Sequence, residues 1–288
     1  MIRKSGLAIS ILAMSFLVGC KNHDAAPEAT STAKIDGIIE SRDAKDRARD
    51  VYRNPRETLA FFELEPEMRV LEVLPGGGWY TRILAPYLAP QGELYAANYA
   101  DSMWPLFGFF SEERIAERKQ SMIDWPKTIA EIGGELKGEG SAFGNIPAAW
   151  DESFDHVLLI RALHNLSRFE AEAQTLSNAI ADIYRVLKPG GKVGVVQHKA
   201  PEYASDEWAT GKNGYLKKSA VIDLFQKNGF KLKSESAINN NILDNPVEED
   251  NVWRLAPSLR GHDDDASKQK AAAIGESDRM TLLFVKSS

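Results

Sequence analysis

VLEVLPGGGWYTRILAPYL, Val70 to Leu88, is an apolar run that stops at a proline and three glycines and resumes as an amphipathic segment opened by two aromatics. Strand, glycine turn and amphipathic helix in that order make one unit of a parallel α/β sheet. The turn after the first strand then lies at the carboxyl edge, beside the switch point where ligands bind. Gly76 and Gly78 let backbone approach a ligand with no side chain between, and Trp79 opens a helix whose free N–H groups point the same way. A dinucleotide turn would want G-x-G-x-x-G, but Gly76, Gly77, Gly78, Trp79 and Tyr80 lead to Thr81. The third glycine is missing and two bulky aromatics intervene, which disfavours a pyrophosphate ligand and a dinucleotide-dependent oxidoreductase.

Outward from this stretch, strands are expected at Arg69 to Leu74, Glu93 to Asn98, Phe154 to Ile160, Lys192 to Gln197, Phe230 to Ala237 and Met280 to Val285, with one more between Glu135 and Ala142. Helices are expected at Trp79 to Leu88, within Glu112 to Gln120, at Phe169 to Leu187 and at Lys218 to Asn228. Runs such as HVLLI and VGVV are apolar throughout, so both faces of the sheet are covered and the strands are largely parallel. The expected fold class is doubly wound α/β. From Ser41 a charged segment gathers apolar residues only at its end, as in a helix that docks late, and Asn54 with Pro55 opens its second half. Residues 239–279 are too long for a plain connection and read as a long loop or lid.

Glu72 stands four positions before Gly76, and this run resembles the first motif of class I methyltransferases, E/D-x-G-x-G-x-G, which cradles S-adenosylmethionine (SAM). SFDHVLLIRALHNL, Ser153 to Leu166, resembles the fourth strand of that fold, and IYRVLKPGGKVGVV, Ile183 to Val196, its helix, turn and fifth strand. In LKPGG, Lys188 suits a helix carboxyl end, Pro189 stops the helix, and Gly190 with Gly191 supplies a turn. More narrowly, P-G-x-G-W-Y-T followed by ILAPYL resembles a bacterial family of secreted class I methyltransferases, over most of Ser41 to Lys286. The resemblance implies a Rossmann-like, mostly parallel sheet with an antiparallel final strand, and a SAM-dependent activity. It implies cofactor contacts at Glu72, Pro75, Gly76, Gly77, Gly78, Trp79 and Tyr80, and at Asn98 where the second strand ends. The chain departs from the general pattern at Leu74, which takes the place of the first glycine, and at Asn98, where an acid usually meets the ribose. An asparagine oxygen still accepts one hydrogen bond but without the charge. EGSAFGNIP, where an aspartate often meets the adenine amino group, contains none.

His164 and Asn165 follow the fourth strand and His198 the fifth, so all three reach the crevice that the glycine turn faces. Methyl transfer is an in-line displacement: the protein aligns nucleophile and methyl and, for an oxygen or nitrogen nucleophile, removes a proton. A histidine suits that removal. Each histidine otherwise caps its strand or hydrogen-bonds the backbone. Trp79 and Tyr80 contact ligand or pack the helix onto the sheet, and Arg161 pairs with an acidic substrate or with Glu72. Asp155 and His156 begin a strand at the far edge and read as structural. No Cys or His cluster has metal-ligand spacing, and His23 and His262 lie in polar loops.

Arg3 and Lys4 precede the apolar run Leu7 to Val18, too short to span a bilayer and of the length of a secretory signal. LVGC, Leu17 to Cys20, resembles the lipobox of bacterial lipoproteins, which implies lipidation at Cys20, the only cysteine; the alternatives are an ordinary secretory signal and a buried helix. The expected organisation is a signal peptide over 1–19, a flexible tether over 20–40 and one domain over 41–288. The domain would be held at the cell envelope, on the periplasmic or extracellular side, by a lipid anchor. A chain of 288 residues, 43% hydrophobic, supports one sizeable core. Its net charge of -6, with signs mixed along the chain, speaks against a nucleic-acid partner. The sequence is therefore read as a SAM-dependent methyltransferase of the envelope acting on a small molecule or envelope component. The alternative is a non-catalytic binding module on the same fold.

Overall fold

The computed structural model describes Met1 and residues 25–287, so the expected signal run, Cys20 and His23 lie outside the described residues. Eight strands are found among them: β1 Arg69–Val73, β2 Glu93–Asn98, β3 Gly140–Ala142, β4 Phe154–Ile160, β5 Leu187–Ala200, β6 Leu216–Lys217, β7 Phe230–Ser236 and β8 Arg279–Lys286. The main sheet runs β3-β2-β1-β4-β5-β8-β7, with β6 paired to β5 off this path. Every pairing is parallel except those of β8, which runs antiparallel to β5 and to β7. The chain winds outward from β1 to β3 on one side and returns to β4 on the other. The switch point thus lies between β1 and β4, directly above the glycine turn.

Alternate side chains of each central strand enter different cores, and both are apolar. Leu71, Val73, Val157 and Val195 pack with Ile180 and Phe225, from helices Thr175–Val186 and Lys218–Lys227. Val70, Leu158 and Val196 pack with Leu84 and Leu88 of helix Thr81–Leu88, and with Ile129 of helix Trp125–Gly133. Burial of both faces is what made these strands read as unbroken apolar runs.

Several expectations are corrected. Where composition suggested a tether to residue 40, the chain is helical over Ala25–Ser41, and Ile35 is buried against the second core. Isoleucines 35, 38 and 39 give the segment an apolar side that its small polar residues upstream obscure. The single helix expected over Phe169 to Leu187 is broken at Gln174, whose φ is 51°, and the carboxylate of Glu170 caps the next helix through the N–H groups of Leu176 and Ser177. Helix Trp125–Gly133 and the two-residue β6 were not anticipated. Lys188 bonds Asp155 across 2.5 Å rather than serving a helix end. Residues 239–279 are neither a plain loop nor a loose lid. They contain a short helical turn, Val252–Arg254, and helix Asp265–Ile274, and Val252 joins Trp208 and Tyr215 in a third small core. Buried Asp244 pins the segment by accepting hydrogen bonds from Tyr215, Arg254 and the N–H of Asp278.

Candidate functional site

The turn after β1 is held open by its backbone. Leu74, at the place of the first motif glycine, sits at φ 51°, and Gly76 and Gly78 follow at 59° and 73°. The turn is therefore left-handed at the leucine as well as at the two glycines, and the leucine bears the conformational cost such a residue carries. Gly78 N–H closes the turn on Pro75 O, whereas the N–H groups of Gly76 and Gly77 donate to no described group. A Cβ added at Gly77 would meet nothing within 4 Å, so the backbone there faces open space. Beneath the turn Glu72 is buried and accepts a hydrogen bond from Thr81 at 2.8 Å. Burial pushes its carboxyl up to about 7, against the opposing pull of Thr81 and Arg82.

The cavity over this turn measures about 690 Å³. Its lining includes Glu72, Pro75, Gly76, Gly77, Trp79, Tyr80 and Asn98, as the sequence suggested, together with Asn165 and Arg161 after β4. Gly78 shapes the turn without lining the cavity. Trp79 is chiefly a docking platform: the guanidiniums of Arg42 and Arg53 lie 4.7 and 4.5 Å from its ring centroid, and its Nε1 donates to Asp46 O. Arg82 completes this staple by bonding Asp46 at 2.6 Å and Gly77 O at 2.9 Å. The charged segment after Ser41 thereby becomes a wall of the cavity. Asn98 lines it too, but its Oδ1 accepts from its neighbour's N–H, Tyr99 N, at 2.8 Å. Tyr99, Trp104 and Phe110 form an aromatic wall that sequence reading missed, with Trp104 edge-on to both partners at 5.0 and 5.2 Å. No residue of EGSAFGNIP lines the cavity.

His164 and His198 do not open onto this cavity. Arg161, at φ 59°, turns the chain sharply after β4, and the short helix Leu163–Ser167 carries His164 toward β5. The two rings lie 5.1 Å apart in a second cavity of about 170 Å³, closed by Trp253 and Pro257 of the long C-terminal segment. Arg161 and Asn165 line both cavities and form the partition between them. Neither histidine therefore lines the cavity of the glycine turn, contrary to what their places after β4 and β5 suggested. His164 Nδ1 lies 3.1 Å from Gln197 Oε1, and Gln197 Nε2 donates to the carbonyls of His198 and Gly214. That fixes the amide orientation, so Nδ1 carries the proton and Nε2 is left to accept. Burial, helped by Arg161 and Arg168, lowers the His164 pKa to about 4 although Gln197 opposes it. Burial likewise holds His198 well below its ordinary value, with His164 and Arg161 adding to the effect, and its Nδ1 meets Ser277 Oγ at 2.5 Å. Both are neutral bases at neutral pH.

Arg161 approaches neither Glu72 nor an isolated acid. Its partner is buried Glu276, at 3.8 Å, which also receives Arg49 at 2.6 Å and Arg53 and Arg279 at 3.2 Å each. Burial raises the Glu276 pKa, but the four guanidiniums outweigh it and hold the carboxyl below its ordinary value. No sequence signal marks this cluster, because its members come from three distant segments. Asp155 and His156 are structural as expected: Asp155 accepts from Arg69 N–H, and His156 is buried against Phe62 O at 2.7 Å. Among the described residues no group of three or more His, Cys, Asp or Glu is placed to hold a metal ion.

Residues 71–195 match a family model described as a methyltransferase domain. The match runs from β1 into β5, so it takes in the glycine turn and the Arg161 to Asn165 partition but ends before His198 and Glu276. Among curated proteins, a ubiquinone/menaquinone biosynthesis C-methyltransferase of Ectopseudomonas mendocina is 26% identical over 61% of this chain and 62% of its own length. A demethylmenaquinone methyltransferase of Geobacillus is 26% identical over 50% of this chain and 51% of its own. The chain thus spans half to three-fifths of the length of these relatives. The crystal structure of a SAM dependent methyltransferase from Aquifex aeolicus aligns with 87% of this chain and 97% of its own, at 15% identity and a TM-score of 0.47. Domain match and sheet order agree on a methyltransferase fold, mostly parallel with an antiparallel last strand.

Proposed function

We propose that this chain is a SAM-dependent methyltransferase that holds SAM in the larger cavity and transfers its methyl group to a small-molecule acceptor at the Arg161 and Asn165 partition. The observation that carries the reading is the glycine turn. It leaves two backbone N–H groups without a partner among the described residues and a backbone surface that a Cβ would fill, at the switch point of a domain that matches methyltransferases. These features fit an adenosyl amino acid: Gly76 and Gly77 offer donors, Asn98 the remaining polar group at the end of β2, and Tyr99 with Trp104 an apolar wall for a flat base. When bound, SAM supplies an electrophilic methyl on a sulfonium. The chain's own part is alignment by the turn and the partition, exclusion of water by the segment from 239 to 279, and acceptance of a proton at His164 Nε2.

One observation favours the alternative of a binding module: the accepting oxygen of Asn98 is already used by Tyr99 N–H, which weakens the ribose corner. Calorimetry of the full chain with SAM, S-adenosylhomocysteine and NAD separates the readings. Binding of the first two but not NAD is expected, and absence of both adenosyl ligands overturns the enzyme. The envelope location rests on the LVGC run alone, which would place a lipid on Cys20. Cys20→Ser should abolish incorporation of a fatty-acid analogue in growing cells, and equal label in both proteins would remove the anchor.

A further inference from the structure

Around Glu276 four guanidiniums share one carboxylate. The neighbouring acids are committed elsewhere: Asp50 to Arg42, Asp46 to Arg82, Asp278 to Lys199 and Asp244 to Arg254. At the rim of the larger cavity exposed Asp43 and Lys45 offset each other. The cluster therefore carries an excess of positive charge in a place where Glu276, Arg53 and Arg279 are buried. Such an excess is unfavourable without a counter-anion. Burial and the charge of Arg161 lower Arg53 to about 9, and burial, against the pull of Glu276, lowers Arg161 to about 10.

Arg161 is the member left open. Its contact with Glu276 is the longest of the four, 3.8 Å, beyond hydrogen-bond reach, and its buried Nε has no hydrogen-bond partner among the described residues. It sits at φ 59°, an uncommon conformation for a non-glycine residue, and it lines both cavities. Arg49 and Arg53 reach the same cavity from the N-terminal segment.

We propose that the methyl acceptor carries an oxyanion, a carboxylate or phosphate group, which Arg161 anchors at the partition with Arg49 and Arg53 beside it. The inference rests on the methyltransferase reading and specifies its substrate class. A planar guanidinium matches both groups in a two-bond fork, and the remaining charge of the cluster is neutralised by the ligand. Anchored there, the acceptor has the glycine-turn cavity on one side and the histidine pair on the other.

Inorganic phosphate is the probe, titrated calorimetrically into the full chain in phosphate-free buffer, with and without saturating S-adenosylhomocysteine. Phosphate should bind in both conditions, and Arg161→Gln should weaken it about tenfold or more while leaving S-adenosylhomocysteine affinity within about threefold. Arg49→Gln, at a half-buried position, should weaken phosphate by a smaller factor and guards against a misfolded Arg161 variant. Equal phosphate binding in all three proteins, or none in the wild type, overturns the proposal. If S-adenosylhomocysteine displaces phosphate and Arg161→Gln weakens both, the oxyanion is the cofactor's own carboxylate and the acceptor assignment fails. If phosphate binds through Arg161 but S-adenosylhomocysteine does not bind, the methyltransferase reading fails and the acceptor falls with it.

Discussion

The two cavities are built from opposite materials. The larger one is floored by backbone, with left-handed turns at Leu74, Gly76 and Gly78 and N–H groups without a partner among the described residues, and it is walled by aromatics on one side and by Arg49, Arg53 and Arg161 on another. The smaller one is made by side chains, two neutral histidines and the edge of an arginine cluster, closed by a segment far along the chain. Backbone donors carry no net charge and suit an adenosyl amino acid, whose polar groups are spread along its length. Buried guanidiniums and imidazoles suit charge recognition and proton transfer. On the proposed methyltransferase reading both kinds of surface must be in contact, and Arg161 and Asn165, which line both cavities, are where they meet.

The sharpest test of this division is on the side-chain cavity. If His164 Nε2 takes the proton, His164→Ala should lower the single-turnover rate by about two to four powers of ten while S-adenosylhomocysteine affinity stays nearly unchanged. The deficit should shrink toward high pH, as hydroxide replaces the base. With a folded-state value of about 4, the wild type should show no rate inflection from this group near pH 6.5. His198→Ala is the matched control, since its ring lies in the same cavity. Wild-type rates in both variants would break the assignment of chemistry to this side.

The glycine turn that floors the larger cavity was readable beforehand because one continuous stretch makes it, whereas the walls at Arg49, Trp104 and Arg161 come from distant segments. Val70 to Leu88 contains the strand, the turn and the helix, and even Leu74, at the place of the first motif glycine, takes a left-handed conformation. The same local logic gave β2 and β4 their bounds, and the apolar runs gave the parallel sheet. The charge cluster was not readable, because Arg49 and Arg53 meet Glu276 across more than two hundred residues and nothing local marks the pairing. His164 was misplaced for a related reason. Sequence position puts it after β4, but the left-handed turn at Arg161 decides which cavity it enters. Helix Trp125–Gly133 was not among the expected helices; it is nine residues long and has a proline, Pro126, in its first turn.

Glu72 sharpens the contrast from below the turn. Its folded value of about 7 exceeds the ordinary 4.5, so the folded carboxyl keeps a proton that the unfolded chain has lost. Its contribution to stability is fully present below pH 4.5 and is lost as pH rises through about 7. Glu72→Gln keeps an acceptor for Thr81 and removes this loss. Between pH 4.5 and 7 the unfolding free energy should therefore move in favour of the variant by about 3 kcal/mol. Denaturant titrations of both proteins at several pH values measure it, and a pH-independent difference would show that Glu72 is ionised in place.

On the backbone side, Gly77→Val should weaken S-adenosylhomocysteine binding about ten- to a hundredfold, because the new side chain occupies the surface the ligand needs. The fold should survive, since Gly77 is not among the positive-φ residues. Gly78→Val is a different perturbation: at φ 73° it strains the turn itself, so it should also lower thermal stability. Weakened binding with unchanged stability in the first variant, and both effects in the second, would separate occupancy of the cavity from integrity of the turn.

The smallest effect is expected at Asn98, and its sign is informative. Because Oδ1 accepts from Tyr99 N–H at 2.8 Å, the side chain has only its amide group left to offer at the end of β2. Asn98→Ala should therefore change S-adenosylhomocysteine affinity by less than about threefold, little for a position that borders the cavity. Asn98→Asp keeps one oxygen on Tyr99 N–H and presents a second, charged acceptor toward the ligand. If a ribose hydroxyl lies there, affinity should rise about three- to tenfold, the gain of a charge-assisted bond partly offset by desolvation of the new carboxylate. Calorimetry of the three proteins at equal ionic strength reads the difference. A weaker Asp variant would move the ribose away from β2 and leave the aromatic wall of Tyr99 and Trp104 as the main contact of the adenosyl group.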